Sequence, residues 1–154
     1  MHPLDPLRSA AGAWRATYQL RDPGHALSVD SESRATVVPI VGERFVRIDY
    51  SWGDRGRPQE GSLLVGCQAA SGLLTVAWID TWHNGDWIMM STGRAEPEGA
   101  LNGRGGYAAP PGPDWGWQTE IRASVDRLQV VMFNVDPDGR EELAVNADYR
   151  KAPE

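Results

Sequence analysis

The sequence predicts an all-β protein, an antiparallel up-and-down β-barrel with about ten strands and no long helix. Short runs that alternate apolar and polar residues recur at a spacing of roughly 10–15 residues, which is typical of barrels and sandwiches. Turn residues separate these runs, with 17 Gly and 11 Pro among 154 residues. Finally, no long stretch has the 3.6-residue apolar period of an amphipathic helix.

The N-terminal residues 1–11 are expected to form a loose arm with one helical turn at Pro6–Ala10. The barrel domain is expected over residues 12–151. Its first strand is predicted at Ala13–Arg21, where Asp22-Pro23-Gly24 ends the alternation. The apolar face of this strand carries Trp14, Ala16, Tyr18 and Leu20.

The next three strands are predicted at Ser33–Val41, Arg44–Trp52 and Glu60–Ala69. Pro39 lies inside the first of them. Because proline has no backbone N–H to donate, Pro39 indicates a bulge, a strand end or an edge. Residues 53–58 are expected to be a plain loop.

The dipeptide Asn84-Gly85, between two Trp-rich apolar runs, predicts a two-residue type I′ hairpin turn. In that register the facing pairs are His83 with Asp86, Trp82 with Trp87, Asp80 with Met89 and Trp78 with Ser91. One face then carries Trp78, Asp80, Trp82, Trp87 and Met89. The other carries Ala77, Ile79, Thr81, His83, Ile88 and Met90. Because both faces are largely apolar, the hairpin is expected to be covered on each side.

The remaining strands are predicted at Ala100–Ala108, Trp115–Ala123, Arg127–Val135 and Arg140–Arg150. The last two form a hairpin around residues 136–139. The face shared by this hairpin would carry Leu128, Val130, Met132, Leu143, Val145, Ala147 and Tyr149. Short turns between consecutive strands favour a meander of antiparallel neighbours, and a closed barrel removes exposed edges.

Composition and charge exclude several classes of function. The net charge of -6 and a pI of about 5.0 argue against nucleic acid and anionic membrane surfaces as partners, which both require a basic surface. The single Cys67 cannot form an internal disulfide, and the N-terminus has no signal-peptide pattern, so a cytoplasmic location is expected. The histidines His2, His25 and His83 have no metal-ligand spacing, and no metal site is expected.

Gly12-Ala13-Trp14, which opens the first predicted strand, resembles the Gly-x-Trp signature of lipocalin-type barrels. In those barrels the Trp closes one end and an Arg of the last strand packs on it. The resemblance therefore implies that Arg150 packs on Trp14.

A wider resemblance covers most of the chain. Its features, in chain order, are Gly42-Glu43-Arg44-Phe45, Gly66, Ala77-Trp78-Ile79-Asp80, Ser91-Thr92-Gly93 and Tyr149-Arg150. They are similar to a family of small bacterial proteins known only as a domain of unknown function, for which a lipocalin-like (calycin-type) barrel is expected. The resemblance implies a fold and no activity. More distantly, the chain resembles nitrobindin-like barrels, which bind haem through a His near the C-terminus. The last His here is His83, so no cofactor is expected.

The Trp-rich face predicts a cavity for a small apolar or aromatic ligand, bound without catalysis, because pockets are typically apolar with a few polar groups. Asp80 would be the polar anchor, with Arg122 and Arg47 as partners for its charge. The predicted ligand-binding residues are Tyr50, Trp78, Asp80, Trp82, Trp87, Met89 and Trp117. The alternatives are that these rings fill the core and that Asp80 either forms a structural ion pair or is satisfied by a side chain of a neighbouring strand.

Two other classes of function stay open. An isomerase or hydrolase would use Asp80 or His83 as a general base. No nucleophile motif accompanies these residues, and the sequence places His83 with Asp86 as an exposed pair at the hairpin end. An interaction module with a filled barrel would instead form a homodimer through the second apolar face of the central hairpin.

Overall fold

The strands of this protein close into a ten-stranded antiparallel barrel in the computed structural model, which describes residues 1–153. Each strand pairs with its neighbours in the chain, and β1 closes the barrel against β10. The strands are β1 Gly12–Asp22, β2 Leu27–Ile40, β3 Phe45–Asp54, β4 Arg57–Cys67, β5 Leu73–Asp80, β6 Met89–Ala95, β7 Leu101–Tyr107, β8 Trp115–Ala123, β9 Leu128–Val135 and β10 Glu141–Lys151. A short helix, α1 (Asp5–Ser9), precedes β1, and a 3-10 turn (Pro23–His25) joins β1 to β2. The predicted fold class is confirmed.

Helix α1 closes one end of the barrel, although the sequence suggested a loose arm. It contacts β2 and β8, and Leu4 and Leu7 are fully buried in the barrel core. Trp14 donates its Nε1–H to the Ala10 carbonyl at 2.7 Å. Lys151, not the expected Arg150, lies over the Trp14 ring, 4.6 Å from its centroid. Trp14 pairs with Lys151 in the ladder, so the residue that follows Arg150 is the one that reaches the ring.

The centre of the barrel is filled by aromatic side chains. Tyr18 stacks on Trp52 with their ring centroids 4.6 Å apart, and on Tyr50 at 6.1 Å. Ser33 and Tyr149 share a hydrogen bond of 2.8 Å across the interior. The void beside these rings measures only about 10 Å³. Within the barrel, the space for a ligand therefore lies at the end opposite α1.

The tight hairpin turn lies at Arg55-Gly56, within the stretch expected to be a plain loop. β3 ends at Asp54 and β4 begins at Arg57, and both turn residues have positive φ, 51° and 86°. Positive φ at both central positions is what a type I′ turn requires. Arg55 holds this geometry by donating to the buried Asp54 carboxylate at 2.8 Å.

The predicted two-residue turn at Asn84-Gly85 is wrong. β5 ends at Asp80 and β6 begins at Met89, so eight residues connect them. The backbone N–H of Asn84 bonds the Asp80 carbonyl at 3.0 Å, which folds the connection into helical turns. Trp78 pairs with Met89, two positions away from the predicted register.

A shift of two positions preserves the faces of the strands, because side chains alternate with a period of two. Trp78, Asp80 and Met89 therefore point inward as predicted. The expectation that both faces are covered is wrong, since Ile79, Ile88 and Met90 are about half exposed on the outside. A closed barrel has one interior, and its outer face meets solvent.

One agreement in β2 and one difference in β10 complete the comparison with the sequence. Pro39 lies one residue before the end of β2, and a strand end is one of the three locations that the sequence predicted for this proline. In the last hairpin, a bulge between Leu143 and Val145 turns Leu143 outward and buries Ala144 in its place. Among the described residues, the structure has no helix long and apolar enough to cross a membrane.

Candidate ligand-binding cavity

A cavity of about 350 Å³ occupies the barrel end opposite α1. It lies below the β1–β2 turn and the β5–β6 connection and between the ends of β7, β8 and β9. Its aromatic wall consists of Trp78, Trp82, Trp87, Tyr107 and Trp117. Its polar lining consists of Arg21, Asp22, His83, Asn84 and Asn134.

Five of the seven residues predicted to bind the ligand line this cavity. They are Trp78, Trp82, Trp87, Met89 and Trp117. Trp87 is 49% exposed and forms the outer rim. The other two, Tyr50 and Asp80, do not line the cavity but lie behind His83 in the barrel interior.

Two Trp side chains give the cavity a flat wall. Trp78 on β5 and Trp117 on β8 stack with their centroids 5.2 Å apart and their planes inclined by 18°. The indole N–H of Trp78 donates to the Tyr50 hydroxyl at 2.8 Å, which fixes the ring plane. Flat aromatic surfaces favour stacked or edge-on contact with other π systems.

Asp80 accepts hydrogen bonds from five donors and is almost completely buried. Its Oδ2 accepts from the Tyr50 hydroxyl at 2.6 Å and from Trp52 Nε1 at 3.2 Å. Its Oδ1 accepts from the backbone N–H groups of Trp82 and His83, at 2.8 and 3.0 Å, and lies 3.1 Å from His83 Nδ1. The expected arginine partners are wrong: Arg47 pairs with Asp49, and Arg122 lies 4.0 Å from Glu98.

Gly61 lets Tyr50 reach Asp80. It stands on β4 between them and pairs with Tyr50 on one side and with Asp80 on the other. A Cβ at this position would overlap the Tyr50 hydroxyl. Only a glycine at this position leaves room for the Tyr50 phenol to pass over β4. Gly61 thereby allows Tyr50 to contact Asp80, and the contacts of Asp80 with Tyr50, Trp52 and His83 together form the Asp80 cluster.

Opposing effects set the charge of Asp80. Burial by itself would raise the pKa of Asp80, but the hydrogen bond and charge of His83 and the Tyr50 hydrogen bond outweigh it, so this pKa lies below its ordinary value. Burial also raises the pKa of Tyr50 well above its ordinary value. The pair therefore consists of a carboxylate and a neutral phenol.

His83 is the main site residue that sequence reasoning misplaced. It was assigned to the outer face with Asp86, but its side chain is only 9% exposed and lines the cavity. Its ring lies 4.7 Å from Trp82, 5.1 Å from Trp78 and 5.6 Å from Trp117, measured between centroids. The available signal was Asp80 itself, since an Asp side chain that bonds the N–H groups two and three residues later marks a turn.

Two polar atoms of the lining have no hydrogen-bond partner within residues 1–153, namely Trp117 Nε1 and Asn84 Oδ1. Buried polar groups are normally paired, and an unpaired one costs about 1–3 kcal/mol. Each of these side chains would gain a partner if a hydrogen-bonding guest reached its buried atom. Within the same residues there is no group of three or more His, Cys, Asp or Glu side chains that could hold a metal ion.

Comparisons with known proteins support the fold and the family. A family described as "Protein of unknown function (DUF1579)" matches residues 3–151. The crystal structure of Rv2717c from M. tuberculosis is similar to this chain, with a TM-score of 0.70, 12% identity and 98% of each chain covered, which at that identity shows the fold alone. No curated protein matches the sequence. The family expected from the sequence is thus confirmed, and the chain belongs to the DUF1579 family of proteins of unknown function.

Proposed function

We propose that the protein binds a small, flat, apolar or aromatic molecule in the Trp-walled cavity and releases it unchanged. The observation that carries this proposal is the stacked pair Trp78–Trp117 facing a cavity of about 350 Å³. Small-molecule sites typically measure about 300–1,000 Å³ and have apolar walls with a few polar groups. This cavity has that size and that lining.

The filled centre of the barrel limits the size of the ligand. The stack of Tyr18, Tyr50 and Trp52 occupies the space that a long lipid or a large tetrapyrrole would need. A cavity at the low end of the typical range suits a molecule of one or two fused rings.

Native mass spectrometry of the freshly purified protein is the first test. A bound mass that disappears on denaturation supports the proposal and begins to identify the ligand. Titration calorimetry with 2-methylnaphthalene then gives an affinity for a defined probe. We expect Trp82→Ala to abolish binding of this probe while the barrel stays folded by circular dichroism.

Phe45→Ala is the matched control, because Phe45 is an exposed aromatic residue beside α1 at the opposite end. It should bind the probe like the unmodified protein. Undiminished binding in a folded Trp82→Ala variant would reject this site. Failure of the unmodified protein to bind any flat aromatic probe would reject the function.

A second candidate function rests on the hydrogen bond between Asp80 and His83. A carboxylate that holds one ring nitrogen of a histidine orients the other nitrogen for general-base chemistry. The site would then act as a hydrolase or isomerase, with His83 as the base, since the oxygens of Asp80 already accept five hydrogen bonds.

Hydrolysis of p-nitrophenyl acetate tests this second candidate. We expect His83→Gln to remove the catalysed rate and Asp80→Asn to lower it, since a neutral amide no longer orients His83 as the carboxylate does. His25→Gln should leave the rate unchanged, since His25 contacts Asp22 at 2.8 Å but its side chain is 82% exposed. A rate equal to that in buffer alone would eliminate the candidate for this reaction.

A further inference from the structure

We propose that the ligand of this cavity carries a weakly acidic hydroxyl group on its aromatic ring, and that His83 Nε2 recognises this group. The inference rests on the proposed binding function and names its ligand class. It follows from the hydrogen bonds around Asp80 and His83, which determine the nitrogen atom of His83 that is left to bind a ligand in the cavity.

The Asp80 cluster fixes the tautomer of His83. Every group that reaches the Asp80 carboxylate from Tyr50, Trp52 or the backbone is a donor. A protonated acid would place an O–H against donors, so Asp80 is ionised and accepts only. The nitrogen that faces it, Nδ1, must then carry a hydrogen.

The opposite nitrogen, Nε2, is left for a partner in the cavity that His83 lines. A neutral imidazole offers a lone pair there, and an imidazolium offers an N–H. An aromatic hydroxyl suits both forms. It donates its hydrogen to the neutral ring, or it binds the imidazolium as the phenolate. In both arrangements the pair shares one proton, which rests on the ligand oxygen or on Nε2, so no other acid or base is needed.

Trp117 Nε1 provides a second reason for an oxygen at this place. The Trp117 side chain lines the cavity, while its Nε1 is buried beneath the surface and has no hydrogen-bond partner within residues 1–153. Its ring centroid lies 5.6 Å from that of His83. A hydroxyl oxygen has two lone pairs, so once a small turn of the indole brings Nε1 to the cavity, the oxygen can accept from Trp117 while its hydrogen serves His83.

A cationic ligand is the competing class, because Trp side chains also surround quaternary ammonium groups. The buried carboxylate nearest the wall belongs to Asp80, and its oxygens are already used by five donors. Of the two charged residues in the lining, Asp22 contacts His25 at 2.8 Å and Arg21 pairs with Asp30 at 2.7 Å, so the lining offers no unpaired carboxylate to a cation. The lining therefore favours the hydroxyl aromatic.

The test compares three probes of nearly equal shape by titration calorimetry on the full chain: 2-naphthol, 2-methoxynaphthalene and 2-methylnaphthalene. Only the first can donate a hydrogen bond. We expect 2-naphthol to bind about tenfold more tightly than the other two, the ratio that one net hydrogen bond supplies. This comparison uses the unmodified protein, so it stays decisive even if a cavity variant misfolds.

His83→Phe assigns the preference to one side chain. It keeps an aromatic ring among the tryptophans and removes Nε2, so the three probes should then bind equally. The control His25→Gln should keep the tenfold preference.

Equal binding of all three probes to the unmodified protein would overturn the hydroxyl inference and leave the binding function standing. A preference that survives in a folded His83→Phe variant would overturn the role of His83. If none of the probes binds, the proposed function fails, and this inference fails with it.

Discussion

Tyr50→Phe removes a single oxygen from the interior of the barrel, and its effect on stability can be worked out from the contacts. That oxygen donates to the Asp80 carboxylate at 2.6 Å and accepts from Trp78 Nε1 at 2.8 Å. A hydrogen bond to a charged group contributes about 1.5–3 kcal/mol, and a buried donor left unpaired costs about 1–3 kcal/mol. The two effects together lower the free energy of unfolding by about 2.5–6 kcal/mol.

Urea unfolding at neutral pH, followed by tryptophan fluorescence, measures this loss. With an m-value of about 2 kcal/mol/M, the midpoint should fall by about 1–3 M. The loss is a large share of the roughly 5–15 kcal/mol that stabilises a domain, so the variant should still fold but only marginally.

Tyr107→Phe is the matched control. Tyr107 donates one hydrogen bond to the neutral, half-buried side chain of Asn134 at the cavity rim. Its removal should cost only about 0.5–1.5 kcal/mol. If Tyr50→Phe and Tyr107→Phe lose equal stability, the view of Asp80 as a charged centre held by Tyr50 is refuted.

Three further predictions concern the same barrel. Gly61→Ala should destabilise the protein at least as much as Tyr50→Phe, because its Cβ would displace the Tyr50 hydroxyl and lie 2.8 Å from the Ile79 carbonyl; an unchanged urea midpoint would contradict this. Asp80→Asn should lower the free energy of unfolding by its full amount above about pH 4. The pKa of Asp80 is lower in the folded protein than the value of about 3.9 in the unfolded chain, so the carboxylate stabilises the fold above that value. This contribution is lost as the pH falls through the folded-state pKa. A penalty that stays constant down to pH 2 would contradict that assignment. The exposed outer face with Ile79 and Met90 is the surface through which two copies would pair. In that case the unmodified protein should sediment as a concentration-dependent dimer and the Met90→Lys variant as a monomer. An unmodified protein that is monomeric at every concentration excludes the dimer.

The faces of the strands were predictable because burial repeats every second residue. Trp78, Asp80 and Met89 point inward even though the predicted turn was wrong, since the real register differs by two positions. The same periodicity could not place His83. After Asp80 the chain leaves the ladder, and a helical turn there follows different spacing.

The partners of Asp80 were also beyond the sequence. Charge alone suggested arginines, yet the contacts come from Tyr50 and Trp52. Both side chains belong to β3 and reach Asp80 across β4, and Gly61 makes the crossing of Tyr50 possible. Such a contact depends on the absence of a side chain on the strand that lies between the two residues. The alternation of apolar and polar residues within one strand does not reveal it.

The aromatic stack in the barrel centre and the helix α1 behind it also determine how a guest would travel. Together they block passage through the barrel, so a guest would enter and leave the cavity by the same opening beside Trp87. An obstruction at that opening lowers the association rate constant and the dissociation rate constant by the same factor, because both steps pass through it. The residence time of the guest can therefore change at this rim while its affinity stays constant.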